Sequence, residues 1–329
     1  MKRIFSAFLA LTIIASLLCW NVAPARAEAA KQLSIVTTIF PEYDWVRQIL
    51  GDKFPDANVT MLLDNGVDLH SYQPTVDDIV KIATCDLFIY VGGESDSWVE
   101  DALKHSVNKD MKVINLLEVL GDSVKAEETV EGMQETAHND SEDDDHEEHE
   151  EEKDEHVWLS LRNAKVLCNA ISQALQAIDP ENEDVYAANA EAYEKQLSAL
   201  DEKYQEAVDN AACKTLLFGD RFPFRYLTDD YGLRYYAAFS GCSAESEASF
   251  DTIHFLAKKL DELELPCILT IEGAKHRIAQ TIVENTTAKN QKVLSMDSMQ
   301  SATSKDVAQG TTYLSVMEKN LDVLTDALG

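Results

Sequence analysis

The stretch "NVTMLLDNGVDLHSYQPTVDDIVKIATCDLFIYVGG", residues 58–93, reads as strand, loop, helix and strand. Its two ends, "NVTMLL" (58–63) and "DLFIYV" (86–91), are short runs rich in β-branched and apolar residues. Between them "TVDDIVKIAT" repeats apolar residues at spacings of three and four, the period of a half-buried helix. Two strands joined through a helix form a βαβ unit, which predicts a parallel sheet. The loop that follows the first strand, "DNGVDLHSYQPT", carries His70.

The same alternation extends in both directions. Upstream lie the strand candidate "LSIVTT" (33–38) and the helical "DWVRQIL"; downstream lies "KVINL" (112–116). The helical "WLSLRNAKVLCNAISQALQAIDP" then stops near Pro180, and residues 180–212 follow as a glycine-free helical stretch. At about 1.5 Å per residue that stretch makes a rod of roughly 45 Å. Beyond it come "TLLFG" (215–219), "RYYAAF" (234–239), "PCILTI" (266–271), "KVLSM" (292–296) and the terminal helix "TTYLSVMEKNLDVLTDAL". The expected fold is α/β: two Rossmann-like lobes with parallel sheets, residues 33–179 and 213–329, joined by one long rigid helix over 180–212. Ligands of open parallel sheets bind outside the carboxyl ends of the strands, so the cleft between the lobes is the expected site.

Residues 1–27 have the pattern of a signal peptide: a basic start, an apolar stretch from Ile4 to about Leu18, and Ala25-Arg26-Ala27. Leu18 stands before Cys19 where a small residue would be expected, which argues against lipidation. No later segment is apolar for long enough to span a bilayer, so the expected location is periplasmic or at the cell surface. With 28 basic against 59 acidic residues the formal charge is −31, which repels nucleic acid and anionic membrane and suits a cation. The densest acid lies in "HNDSEDDDHEEHEEEKDEHVW" (138–158), and its composition predicts a disordered loop over about 121–155. Its histidines, His138, His146 and His149, would hold a cation only weakly. After cleavage five cysteines remain: Cys85, Cys168, Cys213, Cys242 and Cys267. Cys85 and Cys168 lie among core residues, whereas Cys242 and Cys267 could form a disulfide or ligate metal.

Three histidines fall where a cleft ligand would sit: His70, His156 after the acidic tract, and His276 after "PCILTI". Neutral imidazoles suit zinc and other late first-row ions, and three of them plus a carboxylate or water complete a tetrahedral shell. His105 and His254 sit in helical surroundings and read as structural. GxSxG, Walker A, GxGxxG and HExxH are all absent, and "HEEH" (146–149) lacks the spacing that aligns two histidines on a helix. A zinc hydrolase would need Glu245 or Glu272 as its base.

Taken together, "IVTTIFPEYDWVRQI", "DLHSYQPTVDDIVKIATCDLFIYVGGESDSWV", "EHVWLSLRNAK", "RYLTDDYGLRYYAAFSGCSAESEAS" and "TTYLSVMEKNLDVL" resemble the ZnuA/TroA-like metal-binding solute receptors of bacterial ABC transporters. The resemblance covers about residues 33–327. It implies two α/β lobes bridged by a helix with the metal between them, His70 and His156 as ligands, and His276 at a further ligand position. The remaining family ligand falls on Arg221, which cannot bind a cation, and leaves Asp220, Glu245, Cys242 or water to take its place, with Arg221 pairing with one of these acids. It also implies a monomer that hands Zn2+ to an ABC permease and its ATPase and performs no chemistry on the ion. Three imidazoles and a histidine-bearing acidic loop favour zinc over the alternative, a manganese or iron receptor.

Overall fold

A computed structural model describes residues 32–134, 152–243, 247–273 and 275–329. The eight runs read as strands are strands: β1 Ser34–Thr37, β2 Asn58–Met61, β3 Leu87–Tyr90, β4 Lys112–Asn115, β5 Thr215–Phe222, β6 Arg234–Ser240, β7 Cys267–Thr270 and β8 Lys292–Ser295. They form two four-stranded sheets, in the orders β2-β1-β3-β4 and β6-β5-β7-β8, and every pairing is parallel. The orders are the same, each sheet growing from its first strand in both directions. Both therefore have a switch point between their first and third strands, where a crevice opens at the strand ends. β5 runs three residues past the end read from sequence, because a register shift between Phe218 and Arg221 carries the pairing through "GDRF".

The helices bury one stripe each. Helix Glu183–Asp209 turns Tyr186, Ala190, Tyr193, Leu197, Leu200, Tyr204 and Val208 inward, a spacing of three and four maintained over its whole length. It packs against helix Leu161–Ile178, whose N-terminus is capped by Ser160 accepting from the Asn163 amide. Helix Tyr313–Leu328 does not stay with the second sheet. Tyr313 donates its amide to Asp44 at 2.9 Å and its hydroxyl to the Trp158 carbonyl at 2.7 Å, while its ring packs edge-on against Trp45 at 5.2 Å. Tyr204 donates to the Met317 carbonyl at 2.7 Å from the long helix. Trp45, Trp158, Tyr204 and Tyr313 are fully buried members of one apolar cluster that reaches both sheets. Removing so much aromatic surface from water, at about 25 cal/mol per Å², fixes the back of the molecule and leaves the strand ends to form the site.

Of the tract read as a loop, residues 121–134 and 152–155 are packed against the fold. Ala126 and Lys153 form an antiparallel bridge, the Glu127 amide donates to the Glu152 carbonyl at 2.7 Å, and the Asp154 amide donates to the Lys125 carbonyl at 2.9 Å. The expected weak metal loop, with His138, His146 and His149, and the expected signal peptide lie outside the described residues. No helix among the described residues is long and apolar enough to cross a membrane.

Candidate metal centre

His70 sits in a short turn, Leu69–Ser71, that follows β2. The turn is capped by Asp68, whose side chain accepts the His70 amide at 3.0 Å. The loop after β3 holds the imidazole: its Nδ1 lies 2.8 Å from Ser95 Oγ and 3.4 Å from Glu155 Oε2. The Ser95 amide donates to Glu155 Oε1 at 2.9 Å. Burial alone would raise the Glu155 pKa, but hydrogen bonds from His70 and Ser95 outweigh it and hold the carboxyl below the usual range. Gly93 makes this approach possible. It has φ +83°, and a Cβ there would come within 2.3 Å of Glu155 Oε1.

His156 is fully buried at the entrance to a single 3-10 turn, Val157–Leu159. Asp154 accepts both its amide, at 2.9 Å, and its Nδ1, at 3.0 Å, through one oxygen. The backbone of Asp154 is tied across to the second lobe, its carbonyl accepting from the Tyr226 hydroxyl at 2.8 Å. That hydroxyl in turn accepts the Lys125 amide at 3.1 Å. The second lobe closes directly over the ring at Gly241, where a Cβ would stand 2.9 Å from His156 Cε1 and from the Phe222 carbonyl.

Both Nδ1 atoms face carboxylates, an arrangement that orients each ring with its Nε2 toward the centre. These two nitrogens point at each other across 3.2 Å. A third donor, Cys242 in the turn after β6, meets them, so that ligand atoms of His70, His156 and Cys242 all lie within 4.8 Å of one another. A tetrahedral zinc ion sets two imidazole nitrogens about 3.3 Å apart and a nitrogen and a sulfur about 3.6 Å apart. The donor set fits such an ion. The Cys242 amide donates to Glu127 Oε1 at 3.0 Å, which fixes the turn. Burial, then the charges of Glu127, Asp154 and Glu155, push its thiol pKa far up when no cation is bound.

The other expected donors are placed differently. His276 begins helix Arg277–Glu284 and lines, with Asp220, Arg221, Asp68 and Glu272, a neighbouring cavity of about 600 Å³ between the lobes. Among the described residues neither His276 nor Asp220 belongs to the converging set. Glu245 lies outside the described residues. The Arg221 amide donates to Asp220 Oδ1 at 2.9 Å, but its guanidinium turns to the first lobe. Its guanidinium meets Asp68 at 2.6 Å and so joins β5 to the loop that carries His70. The disulfide considered for Cys242 and Cys267 does not form; both thiols are free, Cys267 being buried in β7. Glu272, considered as a base, is committed to structure: it accepts the Ser298 amide and hydroxyl, each at 2.7 Å, and the Gln300 amide at 3.2 Å. Sequence reasoning missed Asp154 and Glu155 altogether, because as the last two acids of a long acidic run they looked like solvated charge.

The family model described as ZnuA, zinc-uptake complex component A, periplasmic, matches residues 35–327. The zinc-binding lipoprotein AdcA of Streptococcus pneumoniae serotype 4 is 31% identical over 324 residues, covering 98% of this chain and 60% of AdcA. This chain thus spans about 60% of the length of that relative. The high-affinity zinc uptake system protein ZnuA of Bacillus subtilis is 29% identical over 297 residues, with 90% of this chain and 88% of ZnuA covered. Among solved structures, the Zn(II)-bound ZnuA-like domain of S. pneumoniae AdcA superposes with a TM-score of 0.68 at 29% identity, covering 90% of this chain and 99% of that domain. With a family match that runs from the first strand to the last helix, the protein belongs to the ZnuA family.

Proposed function

We propose that this chain is an extracytoplasmic zinc receptor that binds one ion between its lobes and delivers it, as a monomer, to an ABC permease driven by its ATPase. The observation that carries the reading is the pair of Nε2 atoms facing each other at 3.2 Å with both Nδ1 atoms engaged by carboxylates. Two ring nitrogens held that close match the spacing of two imidazoles on one tetrahedral ion. The names of the relatives, zinc-binding AdcA and zinc uptake protein ZnuA, support the same cargo. No chemistry is performed on the ion, so the protein is not an enzyme. The described site offers two imidazoles and a thiol set among carboxylates, a donor set suited to holding an ion. The histidine-bearing acidic segment 138–149 serves as a weak collector of the same ion.

Calorimetric titration of the stripped protein tests this. One equivalent of zinc binds tightly, and His70→Ala or His156→Ala weakens that binding by more than the roughly 10- to 100-fold lost when an outer partner is removed. Manganese binding as tight as zinc would overturn the assignment of cargo.

A further inference from the structure

Resting on the receptor reading above, we propose that the Cys242 thiolate is the third protein ligand, making a site of two nitrogens and one sulfur that selects thiophilic cations, zinc among them, over manganese. Three observations lead here. The Cys242 sulfur reaches the same point as the two imidazole nitrogens, with all three donor atoms within 4.8 Å of one another. The turn that carries it lies against the His156 ring, since no Cβ fits at Gly241, and its amide is anchored on Glu127. Among the described residues neither His276 nor Asp220 joins the converging set.

A purely structural thiol explains this arrangement less well. A thiol needs only one acceptor, yet the Cys242 sulfur meets two ring nitrogens that themselves lie 3.2 Å apart. A cation bound by sulfur and both nitrogens engages all three donors at once. Binding then displaces the thiol proton to solvent, and the thiolate forms a bond to the metal. Thiolate is a soft ligand that favours zinc, cadmium and copper(I), whereas manganese prefers carboxylate and water. Three protein ligands leave a fourth position of a tetrahedral ion open to water or a small ligand.

Cobalt(II) in the stripped mature protein provides the test, because cobalt bound to thiolate has an intense near-ultraviolet charge-transfer band that imidazole and carboxylate ligation lack. We expect that band at one equivalent of cobalt, and expect Cys242→Ser to lose it while still binding cobalt. The wild-type spectrum alone carries the test should the variant fold poorly. Cys242→Ser should also lower cadmium affinity at least about tenfold more than manganese affinity, following the preference of sulfur for soft ions. Stoichiometric, His70-dependent cobalt binding without the band would overturn the thiolate ligand and leave the receptor reading standing. A band that survives in Cys242→Ser would overturn it too, by assigning the sulfur to another cysteine. Failure of the wild-type protein to bind zinc or cobalt at all would sink the receptor reading, and the ligand with it.

Discussion

The two sheets share one strand order, yet their equivalent loops have been put to different uses. The loop after the second strand carries His70 in the first sheet and Cys242 in the second. The loop after the third strand backs the donor in the first sheet, where Ser95 and Gly93 hold Glu155 against His70. In the second sheet the corresponding loop turns away, Glu272 gripping the Ser298–Gln300 segment and His276 opening into the cavity beside the centre. Topology therefore supplies pairs of equivalent positions facing one cleft. Whether a position becomes a ligand depends on the second layer of hydrogen bonds behind it. Both histidines have buried carboxylates behind their rings, whereas Cys242 is held through its amide on Glu127 and by the Glu155 backbone at its thiol.

The largest expected effect tests that asymmetry. Asp154→Asn keeps the shape but removes the charge that orients Nδ1 of His156, and should weaken zinc binding by roughly 10- to 100-fold, as loss of an outer-shell carboxylate does. Glu127→Gln, the matching change behind Cys242, still accepts the amide and should weaken zinc binding less than about tenfold. Calorimetry on both variants decides the matter. Equal losses would mean that the two halves of the centre are supported alike.

Much of this difference was visible in the residue order, and some could not be. All eight strands were legible because each is a short apolar or β-branched run ended by turn residues or by a helix, and buried parallel strands keep that pattern. His70 and His156 could be read as donor candidates, His70 from its place in the loop after a strand and His156 from its place before the buried "VWL". The reach of Cys242 was open in the sequence, because what brings its sulfur to the centre is a close contact between Gly241 and a ring 85 residues away, and no local pattern encodes that. His276 follows β7 in the position a ligand would take, and stands at the start of helix Arg277–Glu284, where it lines the neighbouring cavity. Arg221 was legible as a residue unable to bind metal; its partner Asp68 was not, because the pair is 153 residues apart and joins the lobes.

A second test concerns the floor beneath the first lobe's strand ends. Glu42 is fully buried there, accepting the Thr38 amide at 2.8 Å and the Ile39 amide at 3.3 Å. Burial, reinforced by the charge of Asp96, raises its pKa from the ordinary 4.5 to about 8 against the opposing pull of those hydrogen bonds. A carboxyl whose pKa is raised on folding contributes stability that is complete below the ordinary value and is lost as pH rises through the raised one. Wild-type stability should therefore fall between pH 6 and 8, by up to about 2 kcal/mol, with a smaller fall in Glu42→Gln, whose side chain stays neutral. Denaturant melts at the two pH values measure both slopes. Parallel slopes would show that Glu42 is ionised in the folded protein.

The smallest effect belongs to the link between the lobes. Arg221 and Asp68 are each mostly buried, and the same carboxylate that meets the guanidinium at 2.6 Å also caps the His70 turn. Burial would raise the Asp68 pKa, but the guanidinium and His70 outweigh it and keep the carboxyl below its ordinary range. Its stabilising contribution is therefore present above that range and is lost only as pH falls through the lowered value. Arg221→Ala removes the pair and leaves a partly solvated carboxylate, so the expected cost is about 1 kcal/mol, or about 2–4 °C in Tm for a chain of this size. Zinc stoichiometry should stay at one, because the guanidinium touches no donor atom. Asp68→Ala breaks both the pair and the cap, so it should cost more stability and also loosen zinc. Comparing the two single variants with the double variant isolates the pair, since the cap is lost equally with or without Arg221. A coupling energy indistinguishable from zero would mean that this cross-lobe contact holds nothing, and that the second lobe reaches the centre through the Cys242 turn and the Tyr226–Asp154 bond.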